Sequence, residues 1–274
     1  MKLGDFEVEI LSEGCFKIDG GAMFGLIPRT IWEKIIIPDK HHKIMLNLTM
    51  LLVKTPNGNI WIETGVGDNC DPKWLRVYEI YRENHISELL KKHKLKPENI
   101  KYVILTHLHF DHCGGIAAPG LEELCFPQAR YVIQTAEWME ATNPNLRLKD
   151  SYPVKELKLL AAKERLHLVQ GSAEIIPGVK VEKTGGHSKG HQIIHLESKG
   201  EHLVFAGDLI PLTGNLRLKW ISAIDYNPEE SLEQKQKLLK TAAEQNWLIA
   251  FGHSAEYGYL KAKEDKYELV LEQG

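Results

Sequence analysis

The run Thr106-His107-Leu108-His109-Phe110-Asp111-His112-Cys113-Gly114-Gly115 constrains this chain more than any other stretch. Between His107 and His112 it offers four side chains able to ligate a metal, directly after the apolar run Tyr102-Val103-Ile104-Leu105, which reads as a buried strand. In an extended segment side chains alternate, so His107, His109 and Asp111 are expected on one face. His112 falls where Gly114-Gly115 lets the backbone bend and should face another way. A set split in this manner suits two adjacent metal ions better than one. Imidazoles and carboxylates clustered at the end of a buried strand need partners, and a metal supplies them.

The same pattern recurs three times further on. Val179–Lys183 reads as a strand followed by Gly185-Gly186-His187, residues 203–206 as a strand followed by Gly207-Asp208, and residues 247–251 as a strand followed by Gly252-His253. Glycine lets the chain turn closely past a site, and ligands at strand ends can converge from distant parts of the chain. His107, His109 and His187 then make a nitrogen-only set for one ion, and Asp111, His112 and His253 a set for a second. Asp208, a lone carboxylate, is suited to bridge them. Such a set leaves coordination positions open, as catalytic sites do, and two ions about 3.5–4 Å apart activate a shared hydroxide for hydrolysis. Glu63 closes the strand 59–63 just before Thr64-Gly65-Val66-Gly67, where a carboxylate can buttress the ligands. His41, His42, His167, His195 and His202 read as solvated or structural.

Around these points the chain alternates strands and helices. Residues 6–18 read as two strands about a Gly14 turn, and residues 46–54 and 59–63 as a hairpin closed by Pro56-Asn57-Gly58. Thr135 is the expected N-cap of a helix over 137–141. Asn227-Pro228-Glu229-Glu230 opens a helix reaching about Gln245, with Leu232, Leu238, Leu239 and Ala242 on its buried side. Residues 22–44 are apolar but broken by Pro28 and Pro38, which predicts an irregular flap over the core, a pocket or a subunit contact.

A chain of 274 residues, 43% hydrophobic and 26% charged, can bury a sizeable core, and one domain over residues 1–274 is expected. A net charge of -3 gives no footprint for nucleic acid. No run approaches the roughly 18 apolar residues of a membrane helix, and the N-terminus alternates like a strand without a signal pattern, so a cytoplasmic protein is expected. Cys15, Cys70, Cys113 and Cys125 form no Cys-x-x-Cys pair, in keeping with a reducing compartment; Cys113 reads as a packed thiol.

The spacing His107-x-His109-x-Asp111-His112, followed by His187, Asp208 and His253, resembles the metallo-β-lactamase superfamily. The resemblance implies an α/β fold, a four-layer αβ/βα sandwich with two mixed sheets back to back, helices outside and the metals at one edge. It implies the ligand division given above, with Asp208 bridging two divalent ions. Zinc is the expected metal, although manganese, iron and cobalt accept the same donors. Within the superfamily, Ile27-Pro28, the run Gly186-His187-Ser188-Lys189-Gly190-His191-Gln192 and Gly207-Asp208-Leu209-Ile210-Pro211 look most like the acyl-homoserine lactonases and methyl-parathion-hydrolase-like enzymes. True β-lactamases of this fold lack the bridging carboxylate, so Asp208 argues against that activity. The lactonases typically carry a Tyr where this chain has Pro211, and the family usually has Asp where Glu63 stands. His191 matches a position that commonly supports the site by hydrogen bonding.

The implied activity is hydrolysis of a small ester or lactone by a metal-bridging hydroxide, with Asp111 as proton shuttle. A phosphodiester or phosphotriester hydrolase is the alternative. A non-hydrolytic di-iron redox protein or metal-dependent binding module is the third reading, against which His109 stands, because the redox branch usually has a carboxylate there. The apolar and aromatic segments 22–44, 74–81 and 213–220 predict a small-molecule substrate with an apolar acyl or aryl group. A homodimer through the apolar flap is also expected.

Overall fold

The computed structural model describes residues 1–264 and 266–271. They form two mixed sheets. From edge to edge the first contains Lys2–Leu3, Phe6–Asp19, Lys43–Thr55, Gly58–Ile62, Ile100–Ile104, Arg130–Gln134 and Leu166–Val169, with Tyr81–Arg82 paired to Phe6–Asp19. The second contains Lys266–Leu271, Tyr257–Lys263, Leu248–Ala250, Glu201–Phe205, Gln192–Ser198, Val179–Lys183 and Ser172–Ile176. Gly58–Ile62, Ile100–Ile104, Arg130–Gln134 and Leu166–Val169 run parallel, as do Glu201–Phe205 and Leu248–Ala250. Parallel neighbours end on the same side, so the loops leaving them are brought to one edge of the sandwich.

Period-two alternation sorts the layers. Leu51, Val53, Ile60, Ile62 and Ile104 meet Val179, Val181, Ile194, Leu203 and Phe205 between the sheets. The alternate positions Leu52, Trp61, Val103 and Tyr131 turn outward and pack with Leu89 and Leu90 of helix Ile86–Lys92 and with Leu157 and Leu160 of helix Val154–Ala162. On the far side Ile193, Val204 and Ile249 pack with Leu238, Leu239 and Ala242 of helix Pro228–Glu244. The order is helix, sheet, sheet, helix. Burial on both faces explains why Met50-Leu51-Leu52-Val53 reads as a continuous apolar run.

Several local expectations are corrected. The segment 6–18 is one strand, Phe6–Asp19, whose register shifts between Ser12 and Cys15. Gly14 is there for close approach rather than for a turn: a Cβ would lie 2.0 Å from the Tyr81 carbonyl oxygen on the strand paired with it. The helix expected to follow a Thr135 cap is Thr135–Thr142 with Gln134 at the N-cap, because the Thr135 hydroxyl donates to the Val169 carbonyl instead (3.1 Å). In Pro228–Glu244 the Asn227 side chain accepts from the Glu230 N–H as expected (3.3 Å). Its buried side differs, since Leu232 is half-buried and Lys235 fully buried. The Lys235 ammonium donates to the Arg217 and Trp220 carbonyls, each at 2.8 Å, which is how a cation is tolerated in the core.

The apolar stretch 22–44 divides. Short helices Gly20–Phe24 and Arg29–Trp32 bury Met23, Phe24 and Trp32 against Phe16, Leu46 and Trp220, while Leu26 and Ile37 are 99% and 88% exposed. His41 and His42 are exposed. All four cysteines are free, and the Cys113 thiol contacts the Leu108 carbonyl at 3.1 Å. No helix among the described residues is long and apolar enough to cross a membrane.

Candidate metal centre

The strand Ile100–Ile104 releases the chain into an extended link carrying His107 and His109, and Phe110–Cys113 then closes a single helical turn with His109 as its N-cap residue. This corrects the alternation argument for Asp111. The turn rotates Asp111 away from His107 and His109 and groups it with His112. His187 follows Val179–Lys183, Asp208 sits in the 3-10 turn Gly207–Leu209, and His253 follows Leu248–Ala250. Gly207 has a φ of 52°, and a Cβ there would stand 2.8 Å from His191 Nε2, so only glycine passes the site this closely.

Seven side chains meet at this edge. His107 Nε2 and His187 Nε2 stand 2.9 and 3.1 Å from His109 Nδ1. Asp208 divides its carboxylate: Oδ2 is 3.5 Å from His187 Nε2, and Oδ1 is 3.3 Å from His112 Nε2 and 3.2 Å from His253 Nε2. Asp111 Oδ2 lies 3.7 Å from His112 Nε2 and 3.6 Å from His253 Nε2. The atoms fall into groups of metal-binding size: His107, His109 and His187; Asp111, His112 and His253; and His107, His112 and Asp208 between them.

The outer ring nitrogens fix which lone pairs face inward. His187 Nδ1 donates to Asp225 Oδ1 and His253 Nδ1 to the Asn47 carbonyl, both at 2.9 Å, so each turns its Nε2 to the centre. His112 Nδ1 faces Glu63 Oε2 at 3.5 Å, and His107 Nδ1 pairs with the Thr106 hydroxyl at 3.0 Å. His112 Nε2 and Asp208 Oδ1 are buried without a hydrogen-bond partner. A buried polar atom left so costs about 1–3 kcal/mol. Nitrogens around a tetrahedral ion at 2.0–2.1 Å stand about 3.3 Å apart, close to the spacing seen among the histidines. The donor set therefore fits divalent cations.

Electrostatics separate the two halves. Burial, reinforced by neighbouring imidazoles, holds His107 and His109 well below the ordinary histidine value. Burial is the largest influence on His112, His187 and His253 and acts in the same sense, but carboxylates together outweigh it and raise all three: Asp208 in each case, joined by Asp111 and Glu63 at His112, Asp225 at His187 and Asp111 at His253. Asp208, which burial alone would push up, is drawn well below the carboxylate range by His253, His112 and His187.

A second layer holds these groups. Glu63 Oε1 accepts the Thr106 N–H at 2.9 Å, and Glu63 adopts a φ of 61° to do so. A left-handed backbone costs a non-glycine residue on the order of 1–2 kcal/mol, here set against a hydrogen bond to a charged group. His191 Nε2 accepts the Asp208 N–H at 3.0 Å while its Nδ1 pairs with the Thr184 hydroxyl at 2.7 Å.

Two members of this layer are not apparent in the sequence. Asp225 lies in a loop without any motif. Glu137 belongs to a helix whose Met139 is exposed while Glu137 and Glu140 are buried, the reverse of what hydropathy indicates. Glu137 accepts the Leu108 and Gly190 N–H groups at 3.0 and 3.1 Å and the Ser188 hydroxyl at 2.5 Å, tying the His107–His109 link to the His187 loop. Asp225→Ala is expected to weaken metal binding about 10- to 100-fold with little change in fold, because His187 loses its orienting acceptor. Metal titration against a competing chelator checks this, and unchanged affinity would refute the role.

Beside the cluster lies a cleft of about 150 Å³ lined by Phe16, Ile18, Met23, Leu46, Phe110 and Ile224, with His109, Asp111, Asp208 and His253 among its polar walls. A larger depression near His195 and His202 is remote from these ligands; there the two histidines bond each other at 2.9 Å and His202 stacks on Trp247.

The family model described as the metallo-beta-lactamase superfamily matches residues 47–253. An N-acyl homoserine lactonase of Bacillus cereus is 26% identical over 224 residues, covering 77% of this chain and 84% of that protein. A crystal structure of a probable metal-dependent hydrolase from Staphylococcus aureus shares 33% identity and a TM-score of 0.90, over 98% of this chain and 99% of that one. The dizinc quorum-quenching lactonase AidC, solved with a product, matches at a TM-score of 0.83 and 22% identity, over 100% of this chain and 97% of its own.

Proposed function

Because the chain belongs to the metallo-β-lactamase superfamily, as a metallo-hydrolase of its lactonase-like branch, we propose that it is a binuclear hydrolase of small esters or lactones with an apolar acyl or aryl group. The observation that carries this reading is the divided carboxylate of Asp208, one oxygen toward His187 and the other toward His112 and His253. His107, His109 and His187 would hold one ion and Asp111, His112 and His253 the other, with Asp208 shared. Zinc is the metal we assign. When bound, two such ions would supply a water of lowered pKa and Lewis-acid polarisation of the carbonyl.

The chain's own groups do the rest. Asp111, whose side chain is 12% exposed against 5% for Asp208, lines the cleft, which supports its role as the group that takes the proton from the attacking water and delivers it to the leaving oxygen. Phe16, Leu46 and Phe110 give the cleft apolar walls and orient the substrate's hydrocarbon part. Pro211 presents no side-chain donor; its carbonyl accepts the His253 N–H at 2.9 Å and so positions a ligand.

Aryl esters, lactones and aryl phosphates matched in leaving-group pKa separate the classes. The expected result is kcat/KM highest for esters or lactones, with Asp111→Asn lowering kcat by about 10²–10⁴-fold. A preference for phosphates would move the protein to phosphoester hydrolysis. A coloured di-iron protein without turnover would sink the hydrolytic reading.

A further inference from the structure

Outside the ligand set, the cleft is lined by three polar side chains, Tyr78, Arg147 and Ser151. Arg147 is already engaged, its guanidinium donating to the Ala223 and Asp225 carbonyls at 3.1–3.3 Å. The cleft lining therefore offers no uncommitted cation to a substrate anion. Tyr78 differs. Its ring stacks on Phe110 at 5.2 Å and 29° and meets Phe16 edge-on at 6.3 Å, so the aromatic part is fixed on two sides.

Its backbone is fixed as well. The Lys17 N–H donates to the Tyr78 carbonyl at 2.6 Å, and the Tyr78 N–H closes the helix Pro72–Val77 on the Trp74 carbonyl at 2.9 Å. The next residue, Glu79, is gripped by Lys17 and Lys43 at 2.8 and 2.9 Å. Tyr78 and Asp111 line the same cleft, and a phenol, with an ordinary pKa of about 10, keeps its proton at neutral pH and can donate.

We propose that Tyr78 donates a hydrogen bond to the leaving oxygen of a neutral alkyl ester or lactone seated against Phe110, beside Asp111, so that the site favours poor leaving groups. The inference rests on the hydrolase reading above. As the water oxygen bonds to the acyl carbon and the acyl C–O bond breaks, the proton taken from water passes through Asp111 to the leaving oxygen. Tyr78 keeps its own proton and stabilises the charge that develops before that transfer. An aryl oxide already bears its charge easily and gains little from the phenol.

Tyr78→Phe deletes the hydroxyl and leaves the stacking in place. Expected for γ-butyrolactone and an alkyl ester is a 10- to 100-fold fall in kcat/KM, carried mainly by kcat, against a change of under about 3-fold for the p-nitrophenyl ester. Metal content and Tm should match the wild type. Equal losses on both substrate kinds, or none, overturn the proposal. Calorimetry supplies a readout independent of turnover: the wild type should bind 4-hydroxybutyrate several-fold more tightly than butyrate, and Tyr78→Phe should lose that preference. A wild type without the preference also overturns the role of Tyr78. A wild type that shows it while hydrolysing none of the esters or lactones keeps the phenol site and removes the proposed function instead.

Discussion

Asp208→Asn is expected to reduce hydrolysis by about 10³-fold and the bound metal from two ions per chain toward one. The amide keeps the shape of the side chain, but it replaces one of two oxygens that point to opposite halves of the centre. An amide nitrogen has no lone pair to offer a cation, and the variant also loses the negative charge that stands between the histidine groups. Losing the charge stabilisation of one ion, several kcal/mol, corresponds to roughly three decades of rate. Elemental analysis and kcat/KM on the same preparation test this. Two ions per chain with activity within a few-fold of wild type would eliminate Asp208 as the bridge.

Glu137→Ala should have the largest effect on stability among the residues that surround the site. Three donors converge on this fully buried carboxylate, from Leu108, Ser188 and Gly190. Burial raises its pKa while those hydrogen bonds act to lower it, so the group is held in place by its partners rather than by solvent. Removing it strands two backbone N–H groups and a hydroxyl, and breaking a buried network of this kind costs about 3–5 kcal/mol. Because Leu108 lies between His107 and His109, and Ser188 follows His187, metal affinity should fall together with Tm. Denaturant unfolding and metal titration of the variant provide the check. A loss of stability without a change in metal affinity would reduce Glu137 to an ordinary core contact.

Much of the site was legible because its elements are local. An apolar strand, a glycine and a ligand-type residue form a pattern within about six positions, and it recurs for His187, Asp208 and His253. The alternating faces that build the two sheets are equally local, since a strand's period is two wherever it occurs. Alternation failed at Asp111 because an extended chain was assumed where a helical turn forms. That turn is docked from afar: the His112 carbonyl accepts the Thr64 N–H at 2.7 Å, and the 65–67 loop is held by Glu13, which accepts the Val66 and Gly67 N–H groups at 2.7 and 3.1 Å. Nothing near Asp111 in the chain announces those partners.

The sequence by itself determined which residues could bind metal and which strands would carry them, because residue chemistry and strand periodicity are properties of short segments. The tertiary structure decided how those residues are shared. It set the two oxygens of Asp208 between the histidine groups and turned the buried side of helix Thr135–Thr142 so that Glu137 ties two ligand loops. It also brought Asp225 to His187 across 38 positions and Tyr78 to the wall beside Asp111. Those pairings depend on the packing of the two sheets, and packing joins residues whose separation along the chain carries no local signal.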